Sequence, residues 1–512
     1  MLAFVPVPWP DDSAFYFVAK DLFTWPPQWV MLSQAPFEPT YKIFNFNTMP
    51  LYPILLGVGR FIGIDGSFAI KFWPLLFWTL SGVLIGFVFY KKKLPFVLCV
   101  LIVLLFALDP IHRWASVLVR PESFVGLCGL AMVLGLSFGF PEKLKAKGIW
   151  DPVSCLLALA AYAHFNAIHL LFPAAFGLAN QSLKSISKTA GKTALYLTPW
   201  LITVVIHYDL FIIQMHTQWT RLAIQNDWVS NLEKALSSLF QNMGAPTTWH
   251  SSLQIVSWII WVFIGLSLIL GIIIPAFITK KQDPKLPVLP PASGWILGAI
   301  WLWSSKPEVW FIYFLHISVW TFAGILIFRL WIQQKKLIYK ISLMSILCLL
   351  LPNHFIFVYA TYDQYREMHK SRSWNWTTYY DLIDCVERRL NKLEVTLNYP
   401  KPFRVWDPTF PDITIELSRR HPDWRFTRTN DFHTRANLAI EHGKNIEAVV
   451  VPEIFSQEEK WIEGTPAQYP RLYSAWMTWA DMFLIHLWRD KKWKNNRYIC
   501  QRGQWQVFMF MK

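Results

Sequence analysis

The chain has 512 residues, 54% of them hydrophobic and only 16% charged, with a mean hydropathy of +0.30; soluble proteins carry about 25% charged residues. That composition excludes an ordinary soluble globular protein and points to an integral membrane protein. A formal charge of +15 would suit nucleic acid, but the basic residues form short clusters between apolar runs, the pattern that orients a membrane protein, so no nucleic-acid partner is expected. The 29 Trp residues fit the same class, since Trp settles at the membrane–water boundary, although its face also stacks on sugar rings.

The first polar feature is "PWPDDSAFYFVAKDLF", Pro8 to Phe23. Ten residues before Asp11 cannot hold a signal peptide, so a first spanning helix is expected to lie upstream. Asp11 and Asp12 follow Pro10 and open an amphipathic helix. Either one of them caps that helix, or the pair is a general base at the membrane boundary. Asp12, Tyr16 and Lys20 are spaced to share one side of it. Next, "PLYPILLGVGRFIG" (Pro50 to Gly63) reaches only about 21 Å as a helix, which suits an element lying in the outer interface rather than a span.

Apolar runs follow at about 68–90, 94–109, 117–140, 152–165, 166–180, 193–213, 253–279, 287–303, 309–331 and 337–360; a span needs roughly 20 residues, so the fourth and fifth are short. Lysines cluster at 91–93, 143–147, 184–192, 280–285 and 335–340, in every second loop. Placing those loops in the cytoplasm gives them 15 Lys against five Lys or Arg opposite (Arg113, Arg120, Arg221, Lys234, Lys306), a consistent ten-span topology. Residues 1–67, the intervening loops and everything after 360 then lie on the extracytoplasmic side.

On that side, "DPIHRWASVLVRPESF" places His112, Arg113, Arg120 and Glu122 at the ends of two runs. Pro121 and Glu122 suit a helix start, while the arginines suit a phosphate, an ordinary phospholipid included. His164 and His169 in "HFNAIH" are expected to be hydrogen-bonded interior residues. In "SSKPEVWFIYFLH", Lys306 and Glu308 stand at another outer helix start, as an ion pair or with Lys306 neutralising a leaving phosphate, and Tyr313 and His316 lie further in.

From 365 to 512 the composition turns polar, and helix-like stretches (Tyr379 to Leu393, Asp412 to His421) alternate with strand-like ones ("FRVW", "IEAVVVP") and a final hairpin about Arg502-Gly503. The expected architecture is mainly α: 1–67 as a first outer segment with interfacial helices, 68–360 as about 10–11 transmembrane helices, and 365–512 as a small extracytoplasmic α/β domain. Cys385 and Cys500 lie in that last part and are candidates for a disulfide.

The segments "DDSAFY", "MPLYPILLGVGRFIG", "RPE" (Arg120 to Glu122) and "SSKPEVWFIYFLH" together resemble the GT-C superfamily of polytopic glycosyltransferases, among them protein O-mannosyltransferases and aminoarabinose transferases. The resemblance covers residues 8–140 and 300–330, with Asp-Asp here where Asp-Glu is usual. It implies a polyprenyl-phosphate sugar as donor, an acceptor hydroxyl on a glycan, lipid or protein, and Asp11, with Asp12 beside it, as base. Lys306, Arg113 and Arg120 would then stabilise the departing phosphate, with Tyr16, His112, Glu122, Glu308 and Tyr313 in support. The donor is a substrate rather than a cofactor. A divalent metal would need Asp11, Asp12, Asp109 and Glu122 to converge. The rivals are a lipid-linked oligosaccharide polymerase or ligase and a transporter, though the mid-membrane charges and internal repeats of a transporter are missing.

Overall fold

The computed structural model describes residues 10–30, 43–46, 48–141, 150–179, 183–222, 288–305, 311–333, 376–397, 404–406, 413–427, 448–452, 497–502 and 505–511, with shorter pieces at 259–270 and 337–351. Helices occupy the apolar runs that these residues cover. α1 (Pro10–Leu22) and α2 (Leu51–Phe61) precede a 3-10 turn (Ala69–Lys71) that leads into α3 (Phe72–Lys91). Then come α4 (Phe96–Leu108), the short α5 (Pro110–Ala115), α6 (Glu122–Phe138), α7 (Pro152–Ala163) and α8 (Leu171–Ala179). α9 (Leu183–Ile206), α10 (Tyr208–Leu222), α11 (Pro290–Ser305) and α12 (Ile312–Gln333) complete this part.

Among the described residues, two stretches, Ala69–Lys91 and Ile312–Gln333, are each long and apolar enough to cross a membrane, or three if the bent pair α9–α10 counts as one span. Five shorter apolar helices accompany them. Two sequence expectations need correction. The run 193–213 is not one straight span, because the chain turns by 91° between α9 and α10. Past the turn, polar Gln214 binds the chain at 44–46, donating to the carbonyl of Phe44 (2.6 Å) and accepting from the N–H of Phe46 (2.7 Å). In addition, Lys184, Lys188 and Lys192 ride on α9 rather than in a loop.

Packing fixes the direction of the helices. Phe89 near the end of α3, Phe138 at the end of α6 and Phe328 near the end of α12 form an aromatic trio with ring centroids 5.1–6.1 Å apart. These three helices therefore run parallel, and their first turns, with Lys71, Glu122 and Tyr313, gather at the other end. α8 and α11 approach closely through small residues: a methyl on Gly294 would come 2.9 Å from the carbonyl oxygen of Phe172, and one on Gly298 would overlap that of His169.

The C-terminal part is α/β. α13 (Trp376–Leu397) and α14 (Thr414–Arg420) accompany strands β1 (Arg404–Trp406), β2 (Arg425–Thr427), β3 (Ala448–Pro452), β4 (Arg497–Arg502) and β5 (Trp505–Met511) in the order β2-β1-β3-β5-β4. β1 lies parallel to β2 and β3, whereas β5 is antiparallel to β3 and β4. The hairpin read at Arg502-Gly503 is β4–β5. A disulfide joins Cys385 of α13 to Cys500 of β4 across 115 residues. α13 and α14 share a second core with α1, α2 and the start of α3, where Tyr379, Ile383 and Ile415 meet Tyr16, Tyr52 and Ile70.

Candidate active site

α1 is the seam around which the site forms. Asp12 is fully buried; its Oδ2 pairs with the ammonium of Lys71 and its Oδ1 accepts the N–H of Val119 at 2.8 Å. Asp12 thus ties α1 to the head of α3 and the approach to α6. Asp11 occupies the first turn of α1, and its side chain lies outside the described residues. One turn on, Tyr16 donates to Asp65 (3.0 Å), which also receives Arg60 (3.2 Å), and the Arg60 guanidinium lies over the Tyr16 ring. Burial pushes the Tyr16 phenol above its usual range against the pull of Arg60, so it stays a proton donor. Lys20, a further turn along, donates to the carbonyl of Ser418 at 3.2 Å.

Arg120 is not a lone cation beside hydrocarbon: its guanidinium grips Glu122, with the shortest contact 2.7 Å, and the carboxylate is buried. Next to this pair are the phenol of Tyr52, which is within electrostatic reach of Asp12, Glu122 and Arg120, and that of Tyr313, which is within reach of Glu122 and Asp109. Arg113 lies half-buried in α5. His112 is buried; its Nδ1–H donates to the carbonyl of Phe106 (3.1 Å), and its ring is 5.6 Å from that of Tyr313. Lys306 and Glu308 fall outside the described residues.

Sequence reasoning missed Lys71, a single cation heading a long apolar run, where burial against an acid is the one way to keep a charge. It also passed over Asp109 except as a metal ligand. That carboxylate accepts four hydrogen bonds, from the N–H groups of Ile111 and His112, from Nδ1–H of His316 (2.9 Å) and from Nε1–H of Trp320 (2.8 Å). Asp12, Asp109 and Glu122 thus hold separate partners instead of converging, and among the described residues no three His, Cys, Asp or Glu side chains gather to hold a metal ion.

The architecture has known counterparts. ArnT from Cupriavidus metallidurans, an aminoarabinose transferase, superposes in its form bound to undecaprenyl phosphate with a TM-score of 0.55, covering 99% of this chain and 95% of that one at 10% identity. Its apo form gives a TM-score of 0.53 at 12% identity, covering 99% and 94%. The chain has a GT-C-like fold. This is the fold that "DDSAFY", "PLY" and "RPE" implied, mainly helical and, among the described residues, with two or three segments long and apolar enough to cross a membrane. No family model and no curated protein matches the sequence.

Proposed function

We propose that this GT-C-like chain is a membrane glycosyltransferase that moves one sugar from a polyprenyl-phosphate donor to an acceptor hydroxyl at the outer face of the cytoplasmic membrane. The observation that carries the reading is the buried Asp12–Lys71 pair, set beside Arg120–Glu122 at one end of a bundle that shares its fold with ArnT. In the step envisaged, the acceptor oxygen forms a bond to the anomeric carbon as the bond from that carbon to the phosphate oxygen breaks. The acceptor's proton passes to a carboxylate, and the electron pair leaves with the polyprenyl phosphate.

Both oxygens of Asp12 already accept, from Lys71 and from Val119. We assign the base to Asp11 and give Asp12 the task of fixing α1 over Lys71. Lys306, Arg113 and Arg120 are the proposed partners of the leaving phosphate, and Glu308, Tyr16, His112, Glu122 and Tyr313 shape the site. The Cys385–Cys500 bridge supports an outer position for residues 365–512, because disulfides persist in oxidising compartments.

Two variants separate the roles. Asp11→Asn should lower turnover by roughly 100-fold or more in a membrane-inserted, normally stable protein. Asp12→Asn should lower turnover and stability together, since it leaves Lys71 buried without a counter-charge. Full activity of both with polyprenyl-phosphate sugars would refute the assignment.

A further inference from the structure

The two sides of α2 differ sharply. Tyr52, Leu56, Gly57 and Gly59 are buried, whereas Ile54, Val58, Phe61 and Ile62 are exposed, the last two at 73% and 69%. The exposed four follow helical spacing and share one face of α2 and the turn that ends it. Phe23 extends that face: it packs across Gly57, and its ring centroid lies 5.4 Å from that of Phe61 in an edge-on contact, yet it too remains exposed. Arg60, the one charged residue of α2, does not interrupt the face, because it is engaged by Asp65 and lies over the Tyr16 ring.

Five large apolar side chains exposed side by side are unfavourable in water and mark a surface that apolar matter covers. The neighbouring helix indicates what that matter is. Gly59, on the buried side of α2, sits against the indole of Trp73 in the first turn of α3, so close that a methyl there would come 2.7 Å from Nε1. α3 belongs to a stretch long and apolar enough to cross a membrane, and its Phe72, Leu75 and Val83 are exposed as lipid-facing residues are. The bare face of α2 therefore lies at the level where a span begins and adjoins the lipid-facing surface of that span. Its five side chains carry neither charge nor hydrogen-bonding groups, so they match acyl chains and not headgroups.

We infer that Ile54, Val58, Phe61 and Ile62, with Phe23, form a membrane-docking face that enters the acyl chains of the leaflet beside the candidate site. The opposite side of α2 places Tyr52 and Leu56 in one core with Tyr16, Tyr379 and Ile415. Lipid on one side of α2 thus backs the packing of α1 on the other. Such docking requires only the geometry of α2 and α3 and is independent of the transferase reading.

A phospholipid carrying a photoactivatable diazirine in its acyl chain tests this in the full chain reconstituted into nanodiscs. Illumination should attach lipid to α2 at Val58, Phe61 and Ile62, and also to α3 at Leu75 and Val83, which serve as the reference; peptide mass spectrometry locates the adducts. The double variant Val58→Glu, Phe61→Glu should reduce labelling of α2 about 10-fold or more, because a carboxylate resists entry into hydrocarbon, while α3 stays labelled as in the parent. If that variant fails to insert, the adducts of the parent decide alone. Labelled α3 beside unlabelled α2 would overturn the docking, and hydroxyl-radical footprinting then names the reason. Oxidised Phe61 would mean that the face meets water, and Phe61 protected from both reagents would mean that another segment of this chain or a second copy covers it. Undiminished labelling of α2 in an inserted double variant would count against it equally. Absence of adducts on both helices would strike the spanning reading of α3 and the docking with it.

Discussion

Asp12 and Lys71, 59 residues apart, form a buried ion pair that neither residue could maintain alone. Removing one partner from such a pair commonly costs about 3–5 kcal/mol, whereas replacing both by apolar groups of similar volume is often close to neutral. Lys71→Met should therefore destabilise the protein strongly, and adding Asp12→Asn should restore much of the loss without restoring activity; a double-mutant cycle on thermal stability measures both effects. An acid ahead of the first apolar run stands out in a sequence, so Asp12 was readable as special. Lys71 carries no such local signal, because its burial depends on α1 folding back onto the start of α3, a contact that no local pattern encodes. The Arg120–Glu122 pair was misread for a different reason: each residue has a local explanation, in lipid headgroups and the helix dipole, that hides their bond to each other.

At the scale of elements, helices came readily from apolar runs, and α3, α6 and α12 begin and end within a few residues of the expected limits. The 91° turn between α9 and α10 escaped because the run itself stays apolar through the bend, while the contacts of Gln214 with the distant chain at 44–46 are invisible to any local pattern. The close approach of α8 to α11 yields a sharp expectation. Gly298→Ala would set its methyl against a backbone carbonyl, which cannot rotate away as a side chain can. The two helices would have to part, at a cost of about 1–3 kcal/mol, seen as a lower melting temperature.

For the whole molecule, the C-terminal α/β part is held both internally and against the bundle. The Cys385–Cys500 bridge closes a loop of 115 residues, and losing it should cost about 2–5 kcal/mol. Chemical denaturation of the full chain with and without reductant measures this, with Cys385→Ser matching the reduced protein. Sidedness has its own test: tags at Lys145 and Lys281 should be cytoplasmic and one after Lys512 outside, and protection of the C-terminus in right-side-out vesicles would reverse the placement of the site. The alternation of lysine clusters is visible in the sequence alone, but docking of the last part onto the first is not, since it rests on a shared core and on polar contacts between residues hundreds of positions apart, such as Ser67 N–H to Glu416 (2.6 Å).

That docking also sets a schedule for biosynthesis. Lys20 on α1 meets Ser418, 398 residues later in the chain, and at 5–20 residues per second a ribosome needs roughly 20–80 s to get from one to the other. Throughout that interval α1 has been made but lacks the cover of α14, so this end of the bundle stays open until most of the chain has been made. Nascent chains arrested before residue 413 should leave α1 open to protease, and chains released after Lys512 should not. The proposed site would thereby stay uncovered while roughly four fifths of the chain is being made.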